Sequence, residues 1–341
     1  MQQIFVYEYF TGGGTYADAA AAGSMPPLVG EGAAMATALA CDFQAIPGTH
    51  VVRLRDARLP HWPVAAGSAV AVHNPRQERE AFAEIAARCD LSVLIAPEQN
   101  HALLERTRWA ESVRARLLCP DSHFVAIASD KNRTADRLQQ QGVAVPPGRA
   151  FQPGASLPTD FQYPAVLKPA DGAGSVGVQR LDGVTSPYDA AILGPTARLE
   201  SLVGSGIPAS VAVLCGPGVR QSLPPCLQRL SDDGRFRYLG GSAPLETALV
   251  HRAERLAQAA LAGLPATQGY VGVDLVLGRA EDGRDDVVIE VNPRLTTSYV
   301  GLRQLLHTNL ARAMIEVAAG RSVELCFARQ RVEFTAEGRI L

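Results

Sequence analysis

The first hundred residues alternate short apolar runs with helix-like stretches, and this alternation constrains the fold more than any other feature of the 341-residue chain. Residues 4–7, 51–54, 69–72 and 91–95 read as strands. Between them, residues 28–43 place Met35, Leu39 and Phe43 four apart, the spacing of one helix face, and residues 78–89 read as a further helix. Strands separated by helices argue for an open parallel sheet, and such sheets bind ligands beyond the carboxyl ends of their strands. The loop Thr11-Gly12-Gly13-Gly14-Thr15 after the first strand and Pro97-Glu98 after the fourth fall on that edge.

A different texture begins near Asp121. Residues 122–142 predict a long helix ended by Gly142, and prolines then punctuate the chain in the manner of loop-connected antiparallel strands. Residues 245–262 and 299–319 predict two more helices, the apolar stripes of the last serving a dimer as well as a core. At roughly 100–200 residues per domain the length allows two or three domains.

Several functions are argued against. Lys+Arg total 32 against 34 Asp+Glu, a net charge of −2 with no basic run, so nucleic acid is not the expected partner. The opening residues lack the charged and apolar regions of a signal peptide, and no stretch approaches the roughly 20 apolar residues that span a bilayer. Six scattered cysteines without a C-x-x-C pair fit reduced thiols, and the histidines show no metal-binding spacing. The expectation is a soluble, cytosolic protein without a membrane partner.

Three segments carry chemistry. In the first, a strand ends in Lys168-Pro169 and a glycine-rich stretch follows, with Gly172, Gly174, Ser175 and Gly177. Its G-x-G-x-x-G spacing is formally a dinucleotide fingerprint, which would make an NAD-dependent oxidoreductase, but residues 176–181 continue as a strand instead of opening a helix. A flap whose backbone N–H groups close on phosphate, with Lys168 as a point charge, suits the segment better, against the plainer reading of an ordinary hairpin. The second segment is a hairpin of residues 269–277 and 287–294. Asp274 falls opposite Glu290, and Glu290 and Asn292 share a face. Two carboxylates and an amide among valines and isoleucine call for a cation, and all-oxygen ligands select Mg²⁺ or Mn²⁺. The plainer reading has both acids facing water. The third, residues 197–204, sets Glu200 before Leu202 and Val203, a hinge able to read an adenine edge.

The order of these parts resembles the ATP-grasp ligases. Lys131 in Ser129-Asp130-Lys131-Asn132, Lys168 with its flap, Glu200, Gly272-Val273-Asp274 and Glu290-Val291-Asn292-Pro293-Arg294 carry the resemblance. It implies an α/β (α+β) chain with an ATP-grasp fold preceded by an open parallel α/β pre-ATP-grasp domain. The divisions would be residues 1–120, a lid subdomain with the flap at 121–196, a metal-bearing subdomain at 197–325 and a tail at 326–341. By the same resemblance Lys131 and Lys168 would contact the α- and β-phosphates of ATP, and the flap would cover the rest. Glu200 with Leu202 or Val203 would hold adenine, Asp274, Glu290 and Asn292 would hold two Mg²⁺, and Arg294 would sit near the transferring phosphoryl group. The implied reaction activates a carboxylate as an acyl phosphate for attack by an amine.

Two departures from the family pattern stand out. No acid follows the hinge where many relatives hold ribose, so that contact is either lost or moved to a residue such as Ser210, and Gly272 replaces the arginine of the D-alanine ligase branch, leaving Arg294 or Arg303 to anchor an anion. The opening residues 5–14, Ile95-Ala96-Pro97-Glu98 and residues 269–274 also look like the tyramine–glutamate ligase group of methanofuran-type cofactor synthesis. That implies a glutamate carboxylate, a tyramine- or tyrosine-like amine, and an acceptor site flanked by the 12–14 loop and Thr296-Thr297-Ser298. Another ATP-grasp amino-acid or peptide ligase and a non-catalytic ATP-binding protein are the alternatives.

Overall fold

The computed structural model describes residues 1–17, 28–59, 67–328 and 330–341. The opening alternation folds as β1 (Gln2–Glu8), α1 (Val29–Gln44), β2 (Thr49–Asp56), β3 (Ser68–Val72), α2 (Pro75–Arg88), β4 (Leu91–Ile95) and α3 (Ala102–Ser112). The four strands form one parallel sheet in the order β3-β2-β1-β4. Ile4, Phe5, Val6 and Tyr7 are all buried because helices cover both faces, the arrangement parallel strands require. Glu8 pairs in register with Ile95, so the carboxyl ends of β1 and β4 lie side by side.

The helix expected over residues 122–142 is two helices, α4 (Ser122–Ala128) and α5 (Lys131–Gln140). Asp130 interrupts it, leaving helical geometry so that its carboxylate accepts the N–H groups of Asn132 (2.9 Å) and Arg133 (3.1 Å). The cap puts Lys131 at the first position of α5.

An antiparallel sheet follows, made of β5 (Gly148–Phe151), β6 (Ala165–Pro169), β7 (Gln179–Leu181) and β8 (Ala197–Ser201) in the order β5-β8-β6-β7. β8 thus belongs to the smaller sheet, and a division at 197 would cut that sheet from its own strand. The larger sheet contains β9 (Ile207–Gly216), β10 (Val219–Ser222), β11 (Cys226–Leu230), β12 (Tyr238–Ala243), β13 (Gly269–Leu277) and β14 (Val287–Asn292). α6 (Thr247–Ala262) precedes β13, and α7 (Ser298–Leu305) and α8 (Leu310–Ala318) follow β14. The last strand, β15 (Val332–Thr335), lies in the expected C-terminal tail and pairs with β12 of the larger sheet.

The helix expected over residues 299–319 also divides. Asn309 caps α8 by accepting the Arg312 N–H (2.9 Å), and the chain is extended at Leu306. The apolar stripes that would have served a dimer are covered from within. Leu302, Leu305, Leu310, Met314 and Val317 join Ile4, Val6, Leu39 and Phe43 in one core that ties the parallel sheet to the larger antiparallel one. Among the described residues no helix is long and apolar enough to cross a membrane.

Candidate active site

A cavity of about 280 Å³ opens where the carboxyl edge of the parallel sheet faces both antiparallel sheets. Its floor is the β13–β14 pair. Asp274 and Glu290 stand opposite in register, as the hairpin spacing predicts, and Gly272 opposes Asn292. Asp274 Oδ1 accepts from Gln228 Nε2 (2.9 Å) and Oδ2 from Asn292 Nδ2 (3.0 Å). Glu290 Oε2 lies 3.0 Å from Lys131 Nζ, which also donates to the Gly172 carbonyl (2.6 Å).

Burial, reinforced by the neighbouring Glu290 charge, drives the Asp274 carboxyl well above the ordinary carboxylate range. Burial works on Glu290 too, but the charges of Lys131 and Lys168 outweigh it and hold that carboxyl low. Glu290 is thus paired with a lysine, whereas Asp274 accepts two amide N–H groups and forms no ion pair among the described residues. Two carboxylates and an amide suit a Mg²⁺ that keeps phosphate oxygens and water in its remaining positions. Among the described residues no group of three or more His, Cys, Asp and Glu side chains could form a protein-only cage. These residues fit a metal shared with a polyphosphate.

Lys168, at the end of β6, points its ammonium at Glu200 Oε1 (2.5 Å), while Arg198 Nε donates to Glu200 Oε2 (2.9 Å). All three are buried. The Glu200 carboxylate, expected to face adenine, is engaged on both oxygens by cations of its own sheet. The strand ends with the next residue, and Leu202 and Val203 line the cavity in the following loop. Ser210 lines it as well, from β9 beside Asp274.

The glycine-rich stretch forms turns, and only Gln179–Leu181 is regular strand. Gly172, Gly174 and Ser175 line the cavity, whereas Gly177 stands behind it, where a Cβ would come 2.6 Å from the Ile192 carbonyl. Gly174 has φ +60°, and a Cβ there would stand 2.7 Å from Leu28 Cδ2, so glycine lets the flap lie against the start of α1. Asp171 Oδ2 ties the same flap to the Asn100 N–H (3.0 Å).

Arg294 also lines the cavity, and its guanidinium is clamped. Nε and Nη2 donate to Glu98 Oε1 (2.9 Å) and Oε2 (3.1 Å) across the boundary with the parallel sheet, and Nη1 donates to the Leu295 carbonyl (3.2 Å). Arg303, the other anion-anchor candidate, is paired with both Asp42 oxygens and takes no part in the lining. Thr296, Thr297 and Ser298 do line the cavity, but the 12–14 loop does not. Gly12 N–H donates to the Glu8 carbonyl (2.7 Å) and Gly14 N–H to that of Tyr9 (2.8 Å), folding the loop back and presenting Phe10 instead.

Two acids were not anticipated. Glu8 and Glu31 both line the cavity, and burial pushes each up to about 7. Glu8 ends β1 at the strand edge where ligands gather, a signal the chain does carry, whereas Glu31 is one exposed-looking acid in the first turn of α1.

Comparison with known proteins bears on the family and the fold. Residues 128–298 match the ATP-grasp domain family, and residues 49–125 match the pre ATP-grasp 3 domain family. Tyramine–L-glutamate ligase of Methanocaldococcus fervens is 27% identical over 249 residues, 73% of this chain and 72% of the relative. The enzyme of the same name from Methanocaldococcus jannaschii is 27% identical over 248 residues, 73% and 68% of the two chains. Biotin carboxylase from Campylobacter jejuni superposes with a TM-score of 0.73 at 17% identity, covering 97% of this chain and 74% of the other, a likeness of fold.

Proposed function

This chain belongs to the ATP-grasp family, and we propose that it joins the carboxylate of glutamate to a tyramine- or tyrosine-like amine, forming an amide for a methanofuran-type cofactor. The class of reaction is ATP-dependent carbon–nitrogen ligation. One observation carries the finer reading. A single cavity gathers Lys131, Lys168 and Arg294, the Asp274–Glu290–Asn292 set, and a separate wall bearing Glu8, Phe10 and Glu31. Phosphate-binding, metal-binding and acid-lined surfaces thus face one space.

In this reading the substrate carboxylate attacks the γ-phosphorus and ADP leaves. The amine nitrogen then attacks the acyl carbon, the C–O bond to phosphate breaks, and the nitrogen gives up a proton. Mg²⁺ bound by Asp274, Glu290 and Asn292 would neutralise charge on the transferring group. Lys131 and Lys168 would hold phosphate oxygens, each already fixed in one position by a carboxylate, and Ser201, Leu202 and Val203 would border adenine. Arg294, held by Glu98, would orient the anionic acid without swinging away. The flap, tied down through Asp171 and Leu28, would exclude the water that hydrolyses an acyl phosphate.

The test is ADP release from Mg-ATP and L-glutamate with tyramine or tyrosine added or withheld. Release that requires both the acid and the aromatic amine supports the proposal. Release with a different acid–amine pair, and none with these, overturns the substrate assignment. ATP binding without release for any pair overturns the ligase.

A further inference from the structure

The wall of the cavity built by the parallel sheet carries two acids without a cation. Glu8 is 3% exposed, and its oxygens accept the backbone N–H groups of Phe10 (3.0 Å) and Thr11 (2.7 Å), with the Thr11 hydroxyl also within reach. Among the described residues neither Glu8 nor Glu31 forms an ion pair. Arg294, whose charge reaches both, is committed to Glu98. Gly32 shows how closely Glu8 is drawn to α1, because a Cβ at that position would stand 2.4 Å from Glu8 Oε1. Glu31 precedes it in the same helical turn. Two acids are thus set on one wall of the cavity, and burying acids without a cation is costly unless a ligand brings one.

The rest of the wall fits the same ligand. Phe10 and Met35 offer apolar contact beside the acids. Tyr238 lies within electrostatic reach of both Glu31 and Asp274, linking this wall to the metal-facing floor. Thr297 lines the cavity within hydrogen-bond reach of Glu31. An anionic acid would be repelled by this wall and drawn toward Arg294, which leaves the wall for a cation.

We propose that Glu31 and Glu8 form the seat for the ammonium group of the amine substrate, with Phe10 and Met35 against its apolar body. The assignment to the amine rests on the ligase reading above. The pair selects a primary ammonium on an apolar or aromatic tail over the uncharged tail alone. Burial raises both carboxyls to about 7, as expected where a cationic partner is missing.

The experiment titrates the full-length protein, with Mg²⁺ and a non-hydrolysable ATP analogue present, with tyramine and separately with 4-ethylphenol, which keeps the tail and lacks the ammonium. The wild type should bind tyramine at least tenfold more tightly. Glu31→Gln should weaken tyramine about tenfold while leaving 4-ethylphenol and the nucleotide analogue unchanged, and Glu8→Gln should do the same. Nucleotide affinity reports folding of each variant, and Glu31, half-buried in a first helical turn, is the tolerant position. Equal binding of the two probes by the wild type overturns the seat, as does a tyramine preference surviving in both variants. Weakened L-glutamate binding with tyramine unaffected overturns it by giving the acids to the other substrate. A tyramine preference that depends on Glu31, without ADP release from any acid–amine pair, upholds the ammonium seat and fails the ligase reading alone.

Discussion

Replacing Glu200 by Gln separates two roles that a hinge acid can have. In the structure its carboxylate lies between Lys168 (2.5 Å) and Arg198 (2.9 Å), and the residue is 4% exposed. Removing the charge strands two buried cations, and breaking one buried pair costs about 3–5 kcal/mol. A loss of that size lowers the melting temperature by roughly 6–20 °C at 2–4 °C per kcal/mol. Glu200→Gln/Lys168→Met should recover much of it, because Arg198 keeps the Pro146 carbonyl (3.3 Å) and the Asn132 side chain (3.5 Å). The assays are thermal melts of the single and double variants as a cycle, and titration with ATP and GTP. A clamp predicts weaker binding of both nucleotides with their affinity ratio kept. Unchanged melting with a collapsed ATP-over-GTP preference would refute this reasoning and return the carboxylate to the adenine edge.

Three further outcomes follow from the same geometry. Glu290→Gln should lower Mg²⁺-dependent ADP release by about 10²–10³-fold, the scale of losing one transition-state charge contact, and full activity with an unchanged Mg²⁺ dependence would show that Glu290 holds no metal. Gly174→Ala sets a Cβ against Leu28 at φ +60°, a conformation costing an L-residue about 1–2 kcal/mol, so turnover should fall roughly tenfold and recover in part with Leu28→Ala. Wild-type turnover of the single variant would mean the flap does not close on α1. For Glu8 the folded carboxyl is raised from 4.5 to about 7, chiefly by burial and against Thr11, Phe10 N–H and Arg294. The folded state therefore holds the proton more tightly, and stability present below pH 4.5 is lost as pH rises through about 7, by up to about 3 kcal/mol. Urea midpoints of wild type and Glu8→Gln should diverge across that window, and parallel curves would remove the argument.

The strands were legible because burial imposes period or continuity on them. Leu91–Ile95 is found as expected, and the Asp274–Glu290 register followed from counting back from the turn at Asp282-Gly283. The helices were read too long for one reason in both cases. Periodicity continues through residues 122–142 and 299–319, but Asp130 and Asn309 use their side chains to cap a new helix, which an apolar count does not register. Glu98 and Glu200 were visible as acids near the site, yet their partners, Arg294 and Lys168, lie 196 and 32 residues away, so only the packed sheets reveal the pairs. Arg303 looked like a free cation for the same reason, until α1 supplied Asp42.

Those pairings share a logic. Each cation expected to meet a phosphate or carboxylate is matched with one acid of the cavity wall, Lys131 with Glu290, Lys168 with Glu200 and Arg294 with Glu98. The acids differ in what else they can do. Glu200 and Glu98 have both oxygens engaged by the cations they hold, so Lys168 and Arg294 are fixed in place. Glu290 holds Lys131 by one oxygen and faces Asp274, making it the member of the set able to turn toward a divalent cation. Lys131 would then keep the Gly172 carbonyl and gain freedom to meet a phosphate, which couples metal binding to the flap through one side chain. On this argument Lys131→Met should weaken nucleotide binding more in the presence of Mg²⁺ than in its absence. An equal loss in both conditions would mean that Lys131 acts as a simple point charge.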